Sequence, residues 1–214
     1  MTYKLIEVFK SIQGEGYNFG QEVVFVRLAG FNLGCPWCDE YKKNGSTISK
    51  FWKVNLELSP EMLWEKIKSF NCNKIIFTGG EPTAQDLHPI LMLIPGDYWV
   101  GIETNGTNKV HAKVDWISCS PKFQYQDKPL QVNFKATPGE FRLVVPSNVD
   151  KKEFIKWALN LQEKFKDQEP IHWYISPCET DGKFAWDELA HIYNVLKWHN
   201  FKISIQIHKL WGKQ

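Results

Sequence analysis

The chain has 214 residues, 43% of them hydrophobic and 23% charged, which excludes intrinsic disorder, a collagen-like repeat and a disulfide-dense miniprotein. A chain of this length can bury a sizeable core, and one domain covering residues 1–214 is expected. Lys and Arg number 26 against 24 Asp and Glu, a formal net charge of +2, too even to imply a grip on nucleic acid or on an anionic membrane, so the expected partner is a small molecule.

Short runs rich in Val, Phe and Ile predict strands over Tyr3–Phe9 and Glu22–Leu28, with a loop at Ser11-Ile12-Gln13-Gly14-Glu15-Gly16 between them. Glu7 also stands where a signal peptide needs its apolar stretch, and no apolar run is long enough to span a membrane, so a cytoplasmic protein is expected. Ser59 before Pro60 is a helix start, hydroxyl cap then proline, for a helix running to about Phe70. A strand over Lys74–Phe77, a helix over Ala84–Leu93 and strands over Tyr98–Glu103 and Asp115–Cys119 follow. The polar stretch Gln124–Gly139 reads as a long loop. Beyond a strand at Phe141–Val145, Phe154, Ala158, Leu161 and Phe165 share one face of a helix. A strand at His172–Ile175, a helix over Trp186–Trp198 and a last strand at Lys202–Ile207 complete the chain. The alternation predicts an α/β fold with a mostly parallel sheet, open or curled into a partial (βα) barrel. Ligands of such sheets sit at the C-terminal strand ends.

That rule selects Thr78-Gly79-Gly80-Glu81-Pro82, Glu103-Thr104-Asn105-Gly106, Ser120-Pro121-Lys122 and Gln206-Ile207-His208-Lys209. The paired glycines would open backbone amides and carbonyls to a ligand, and Glu81 would accept from a cationic group. Five scattered cysteines do not read as a disulfide framework, and only Cys35 and Cys38 are close. The Cys35-Pro36-Trp37-Cys38 segment fits an iron–sulfur ligand set or a glutaredoxin-type redox dithiol. Zinc is disfavoured, because no second CxxC or HxxxH pair completes a four-ligand site.

The stretch from Val26 to Asp39 resembles the cluster loop of radical S-adenosylmethionine enzymes, in which a CxxxCxxC motif holds a 4Fe-4S cluster, and Gly79-Gly80-Glu81-Pro82 resembles their GGEP motif. With Ser11–Gly16, Arg27, Glu103–Gly106, Ser120–Lys122 and Gln206–Lys209, the whole chain resembles the 7-carboxy-7-deazaguanine synthase family. The resemblance implies a radical lyase that converts 6-carboxy-5,6,7,8-tetrahydropterin to 7-carboxy-7-deazaguanine with loss of ammonia, on the way to queuosine and related 7-deazapurines. It places the pterin on Ile12, Gln13, Gly14, Arg27, Thr78 and Gln214, with Arg27 suited to a two-point grip on the substrate carboxylate. It places S-adenosylmethionine on Trp37, Cys38, Asp39, Gly79, Gly80, Glu81, Glu103, Ser120, Pro121 and Lys122, and Mg2+ on Glu40. Glu15 and His208 stand ready for proton transfer or orientation. A homodimer and an electron donor such as flavodoxin are implied as well.

Phe31 occupies the place of the first cluster cysteine, which leaves Cys35 and Cys38 as an incomplete ligand set. Cys72 precedes its strand, Cys119 should face away from the site if Ser120 faces it, and Cys178 is the best placed of the others. Glu40 stands where the family more often has a small hydroxyl residue, and Ser176 where it tends to have glutamine. A pterin or nucleoside binder that has lost the cluster is therefore an alternative to the lyase, as is a dithiol oxidoreductase.

Overall fold

A computed structural model describes residues 1–34, 54–168, 171–180 and 182–207. Its strands are β1 (Tyr3–Ile12), β2 (Glu22–Leu28), β3 (Leu56–Leu58), β4 (Lys74–Gly79), β5 (Trp99–Thr104), β6 (Trp116–Cys119), β7 (Gly139–Val145), β8 (Ile171–Pro177), β9 (Glu179–Thr180), β10 (Lys183–Phe184) and β11 (Phe201–Ile203). The α-helices are α1 (Pro60–Lys68), α2 (His88–Leu93), α3 (Lys151–Phe165) and α4 (Trp186–Leu196). Nine strands form one sheet in the order β11-β8-β7-β6-β5-β4-β2-β1-β3, with β9 and β10 a separate hairpin. Every pairing from β2 to β11 is parallel, and β1 is antiparallel to both β2 and β3. Among the described residues no helix is long and apolar enough to cross a membrane.

The period of two along each strand separates two faces. Val24, Val26, Ile75, Phe77, Val100, Ile102, Ile117, Phe141, Leu143 and Ile175 pack into one core with Leu63 and Ile67 of α1, Ile90 and Leu91 of α2, Phe154 to Phe165 of α3, and Leu189 and Ile192 of α4. Burying each large side chain there is worth about 1.5–3 kcal/mol, so the helices are held against this outer face. Ser59 Oγ caps α1 by accepting from Met62 N at 3.2 Å, and Asp150 caps α3 by accepting from Lys152 N and Glu153 N at 2.9 and 3.0 Å.

The sheet curls. The loop after β1 meets residues that follow β11, seven places along the sheet order, through Gly16 N donating to Ser204 Oγ at 2.9 Å and Gln206 Nε2 donating to Glu15 Oε1 at 2.9 Å. Such closure is what a partial barrel requires.

Three expectations are corrected. The helix expected over Ala84–Leu93 is a 3-10 turn at Pro82–Ala84 followed by α2, because Gln85 leaves the helical region. Its amide accepts from Lys4 N and donates to the carbonyls of Lys4 and Ala29, pinning the chain to the sheet edge. The last strand, expected over Lys202–Ile207, ends at Ile203, where the chain turns so that Ser204 and Gln206 can hold the loop after β1. Finally, β3 covers β1 without having shown itself in the sequence.

Candidate active site

The residues of the inner face lie in level rows. Register puts Arg27 of β2 beside Thr78 of β4, then Glu103 of β5, Ser118 of β6, Glu140 of β7 and His172 of β8 in sequence across the sheet. Alternation thus puts the apolar partners under the helices and leaves this polar row to the barrel interior. Beneath it Tyr17 stacks on His172 and Trp116, at centroid distances of 4.2 and 5.0 Å. The indole N–H of Trp116 is buried there without a hydrogen-bond partner among the described residues. A polar ligand atom or a water is what such a group calls for.

Arg142 of β7 is the hub. Nη2 donates to Glu103 Oε1 at 2.7 Å, Nη1 lies 3.3 Å from Glu15 Oε2, and Nε lies 3.2 Å from Glu140 Oε1. Glu103 also accepts from Gln13 Nε2 at 3.0 Å and from Thr78 Oγ1 at 2.7 Å. Burial pushes the Glu103 carboxyl up, but the Arg142 charge and the Thr78 and Gln13 hydrogen bonds outweigh it and hold it down at about 2. For Glu140 burial wins: its carboxyl is raised despite Arg142, the Tyr17 N–H at 2.7 Å and the Ser118 hydroxyl at 2.8 Å. The two carboxylates are thereby driven apart in acidity, with Glu103 the firm anion. Neither Arg142 nor Glu140 was singled out from the sequence. The signal was there, since Glu140 and Arg142 alternate with Phe141 and Leu143 in a buried strand, where a charge needs a partner.

The GGEP segment is built differently from the expectation. A Cβ on Gly79 would lie 2.2 Å from Leu28 O, and one on Gly80 2.0 Å from Gly30 O, so the glycines serve a close backbone crossing. Gly80 N and Glu81 N donate to Leu28 O and Gly30 O at 3.0 and 2.8 Å, and these amides are therefore spent inside the protein. Glu81, 1% exposed, is likewise engaged inside the protein. Its carboxylate takes the Thr83 N–H and hydroxyl, the Thr104 hydroxyl and the Asn105 N–H, at 2.5 to 3.1 Å. It fastens the end of β4 to the end of β5.

Around this centre, Gln13 and Gly14 are buried, while the Ile12 side chain is 56% exposed and faces away from the row. Arg27 is on the inner face, with Nη1 paired to Glu7. Ser120, Pro121 and Lys122 stand at the end of β6, where Lys122 Nζ donates to Ser120 Oγ at 2.9 Å. Asn105 Nδ2 donates to Asn32 Oδ1 at 2.8 Å and ties the start of the cysteine loop to β5. Cys35, Trp37, Cys38, Asp39, Glu40, His208 and Gln214 lie outside the described residues. Among those described, no group of three His, Cys, Asp or Glu could hold a metal. Cys72 sits beside Glu22 O at the start of β2, and Cys119 is buried in the outer core, where burial pushes its thiol up. Cys178 contacts Glu179 O and Thr180 Oγ1 at the end of β8, with four strands between it and β2. A cleft of about 420 Å³ opens beside Leu33, lined by Lys122, Tyr125, Lys128, Lys156 and Lys164, and Tyr125 OH donates to Gly34 O at 2.8 Å.

A mostly parallel sheet whose polar row faces inward, with a cysteine loop after β2 and a GGEP crossing after β4, defines a radical S-adenosylmethionine protein, and the Radical SAM superfamily profile matches residues 30–122. The chain is 35% identical to the 7-carboxy-7-deazaguanine synthase of Haemophilus influenzae, covering 99% of this chain and 94% of that one. With the enzyme of the same name from Neisseria meningitidis serogroup B it shares 32%, over 98% and 93%. The solved structure of QueE from Escherichia coli superposes with a TM-score of 0.73 at 25% identity, covering 96% of this chain and 94% of that one. The chain belongs to the 7-carboxy-7-deazaguanine synthase family. Superfamily membership implies a 4Fe-4S cluster and S-adenosylmethionine, and it sets aside the glutaredoxin-type reading of Cys35 and Cys38.

Proposed function

We propose that this chain is a 7-carboxy-7-deazaguanine synthase by construction: its barrel interior takes 6-carboxytetrahydropterin, and the reaction it is built for is loss of ammonia with ring contraction. The observation that carries this reading is that Arg27 and Thr78 of the polar row and Gln13 of the loop after β1, all assigned to the substrate by the family resemblance, gather around Glu103, which that resemblance assigns to S-adenosylmethionine. A substrate carboxylate would compete with Glu7 for the Arg27 fork, and Glu103 offers a fixed anion to ring N–H groups. Glu15, oriented by Gln206 and Arg142, is placed to hold or release a proton at Oε1 or Oε2. The stacked Tyr17, Trp116 and His172 form an aromatic floor beneath the row.

The donor set for the cluster does not fit the family's. Phe31 supplies no thiolate, and Cys119, Cys72 and Cys178 are held elsewhere, so no step is routed through the cluster here. That observation favours a second reading, a pterin-binding paralogue that retains the pocket without the lyase reaction. Continuity of one sheet from Tyr3 to Ile203 supports a single domain. Mg2+ at Glu40, a homodimer and a cytoplasmic setting complete the proposal, with an acidic electron carrier such as flavodoxin as donor. The lysines of the cleft beside Gly34 offer such a carrier complementary charge.

Calorimetric titration of the cluster-free protein with 6-carboxytetrahydropterin tests the pocket. Saturable binding is expected, weakened about 10- to 100-fold in Arg27→Ala by loss of a charge-assisted pair. Absence of binding to the unaltered chain overturns the reading, and unchanged affinity in Arg27→Ala moves the carboxylate site elsewhere.

A further inference from the structure

Of the 26 cationic side chains only two are arginines, Arg27 and Arg142, and all others are lysines. Both arginines lie on the inner face of the sheet. Lysine is a point charge that, buried without a carboxylate partner, gives up its proton, whereas guanidinium keeps its charge and offers a planar fork of donors. Arg142 uses that fork. It is 5% exposed and reaches one carboxylate from each of three places: Glu15 in the loop after β1, Glu103 on β5 and Glu140 on β7. Through Glu103 it also fixes Gln13 and Thr78, and Gln13 Oε1 in turn accepts from Glu15 N at 3.2 Å.

We infer that Arg142 is a positioning residue for the pterin site: by bridging Glu15 and Glu103 it holds two carboxylates at fixed places on the inner face as acceptors for the N–H edge of an aminopyrimidinone ring. The inference rests on the pterin reading above. Its physical content is that neither carboxylate could stay both buried and aimed inward alone. Without the guanidinium, Glu103 has only two uncharged donors, Gln13 and Thr78, and desolvation then favours its protonated form, which donates where the substrate also donates. Glu15 keeps only Gln206 and swings with its loop. The other ionisable groups near Arg142 are Glu140 on its own strand, Tyr174 and His172 on β8, Tyr17 in the loop after β1, and the Arg27–Glu7 pair on β2 and β1. Among these Arg142 is the one cation in contact with Glu103.

The test is the pH dependence of 6-carboxytetrahydropterin affinity, measured by calorimetry on the cluster-free protein between pH 5 and 7.5. The unaltered chain is expected to bind with little variation across this range, because Glu103 stays ionised. Arg142→Met is expected to bind at least tenfold more weakly at pH 7.5 and to lose further affinity as pH falls. Arg142→Lys should recover the flat profile with only part of the affinity, since one charge returns without the fork. Glu103→Gln, a near-isosteric change, covers the case in which Arg142→Met does not fold, and should weaken binding tenfold or more. An Arg142→Met protein, or failing that Glu103→Gln, with the affinity and flat profile of the unaltered chain overturns the inference alone. Failure of the unaltered chain to bind the pterin overturns it together with the function proposed above.

Discussion

Glu81 offers the sharpest separation of an internal role from a ligand-binding one. Its carboxylate accepts four hydrogen bonds, and one of the donors, the buried Thr104 hydroxyl, has no water to turn to when it is removed, whereas Thr83 and Asn105 are partly open to solvent. The orphaned buried hydroxyl costs about 1–3 kcal/mol and the partly open donors less, so Glu81→Ala is expected to lower stability by about 3 kcal/mol. In a domain of this size that corresponds to a Tm about 10 °C lower. Glu81→Gln keeps one carbonyl oxygen and turns an N–H2 group against the remaining donor, and should cost about 2 kcal/mol. Urea unfolding at pH 7, on protein without cofactor, measures both. Stability within about 0.5 kcal/mol of the unaltered chain in Glu81→Ala would show that the carboxylate is not a clamp.

Two further perturbations probe the same centre. Gly16 has a φ of +67° and a Cβ there would lie 2.3 Å from Glu140 Oε1, whereas Gly20, at +84°, faces open space. Gly20→Ala should cost about 1–2 kcal/mol for the left-handed backbone, and Gly16→Ala clearly more, because Glu140 must leave Ser118 and Tyr17; equal losses in thermal unfolding would refute the contact. The Glu103 carboxyl is depressed in the folded state, so its contribution to stability is complete above the unfolded carboxylate range and is lost as pH falls from about 5 towards 2. Glu103→Gln removes that dependence, and its Tm should fall less steeply than that of the unaltered chain between pH 6 and pH 3; parallel curves would contradict the assignment.

Periodicity made much of this legible. The bounds of β2 are those read from its run of Val and Phe, and the one-sided spacing of Phe154, Ala158, Leu161 and Phe165 is the buried face of α3. Turn chemistry marked the strand ends, because they are punctuated by glycine and proline. What stayed hidden depends on partners distant in sequence. Gln85 reads as an ordinary helical residue until the Lys4 backbone, 81 positions away, captures its amide. The clamp that Glu81 makes depends on Thr104 and Asn105, which arrive from the next strand. Arg142 was hidden by its setting in Phe141–Val145, although the scarcity of arginine in so lysine-rich a chain marked it.

On the proposed reading, Phe31 stands where a lyase of this family would supply a third cluster thiolate. Formation of 7-carboxy-7-deazaguanine, measured on the anaerobically reconstituted unaltered chain and on Phe31→Cys with iron content determined alongside, tests this most directly. The expected result is iron rising in Phe31→Cys towards the four of the family's cluster, together with product and 5′-deoxyadenosine that the unaltered chain forms at least a hundredfold more slowly. A fully loaded Phe31→Cys protein that binds the pterin and yields no product, or an unaltered chain that is just as active, would contradict it.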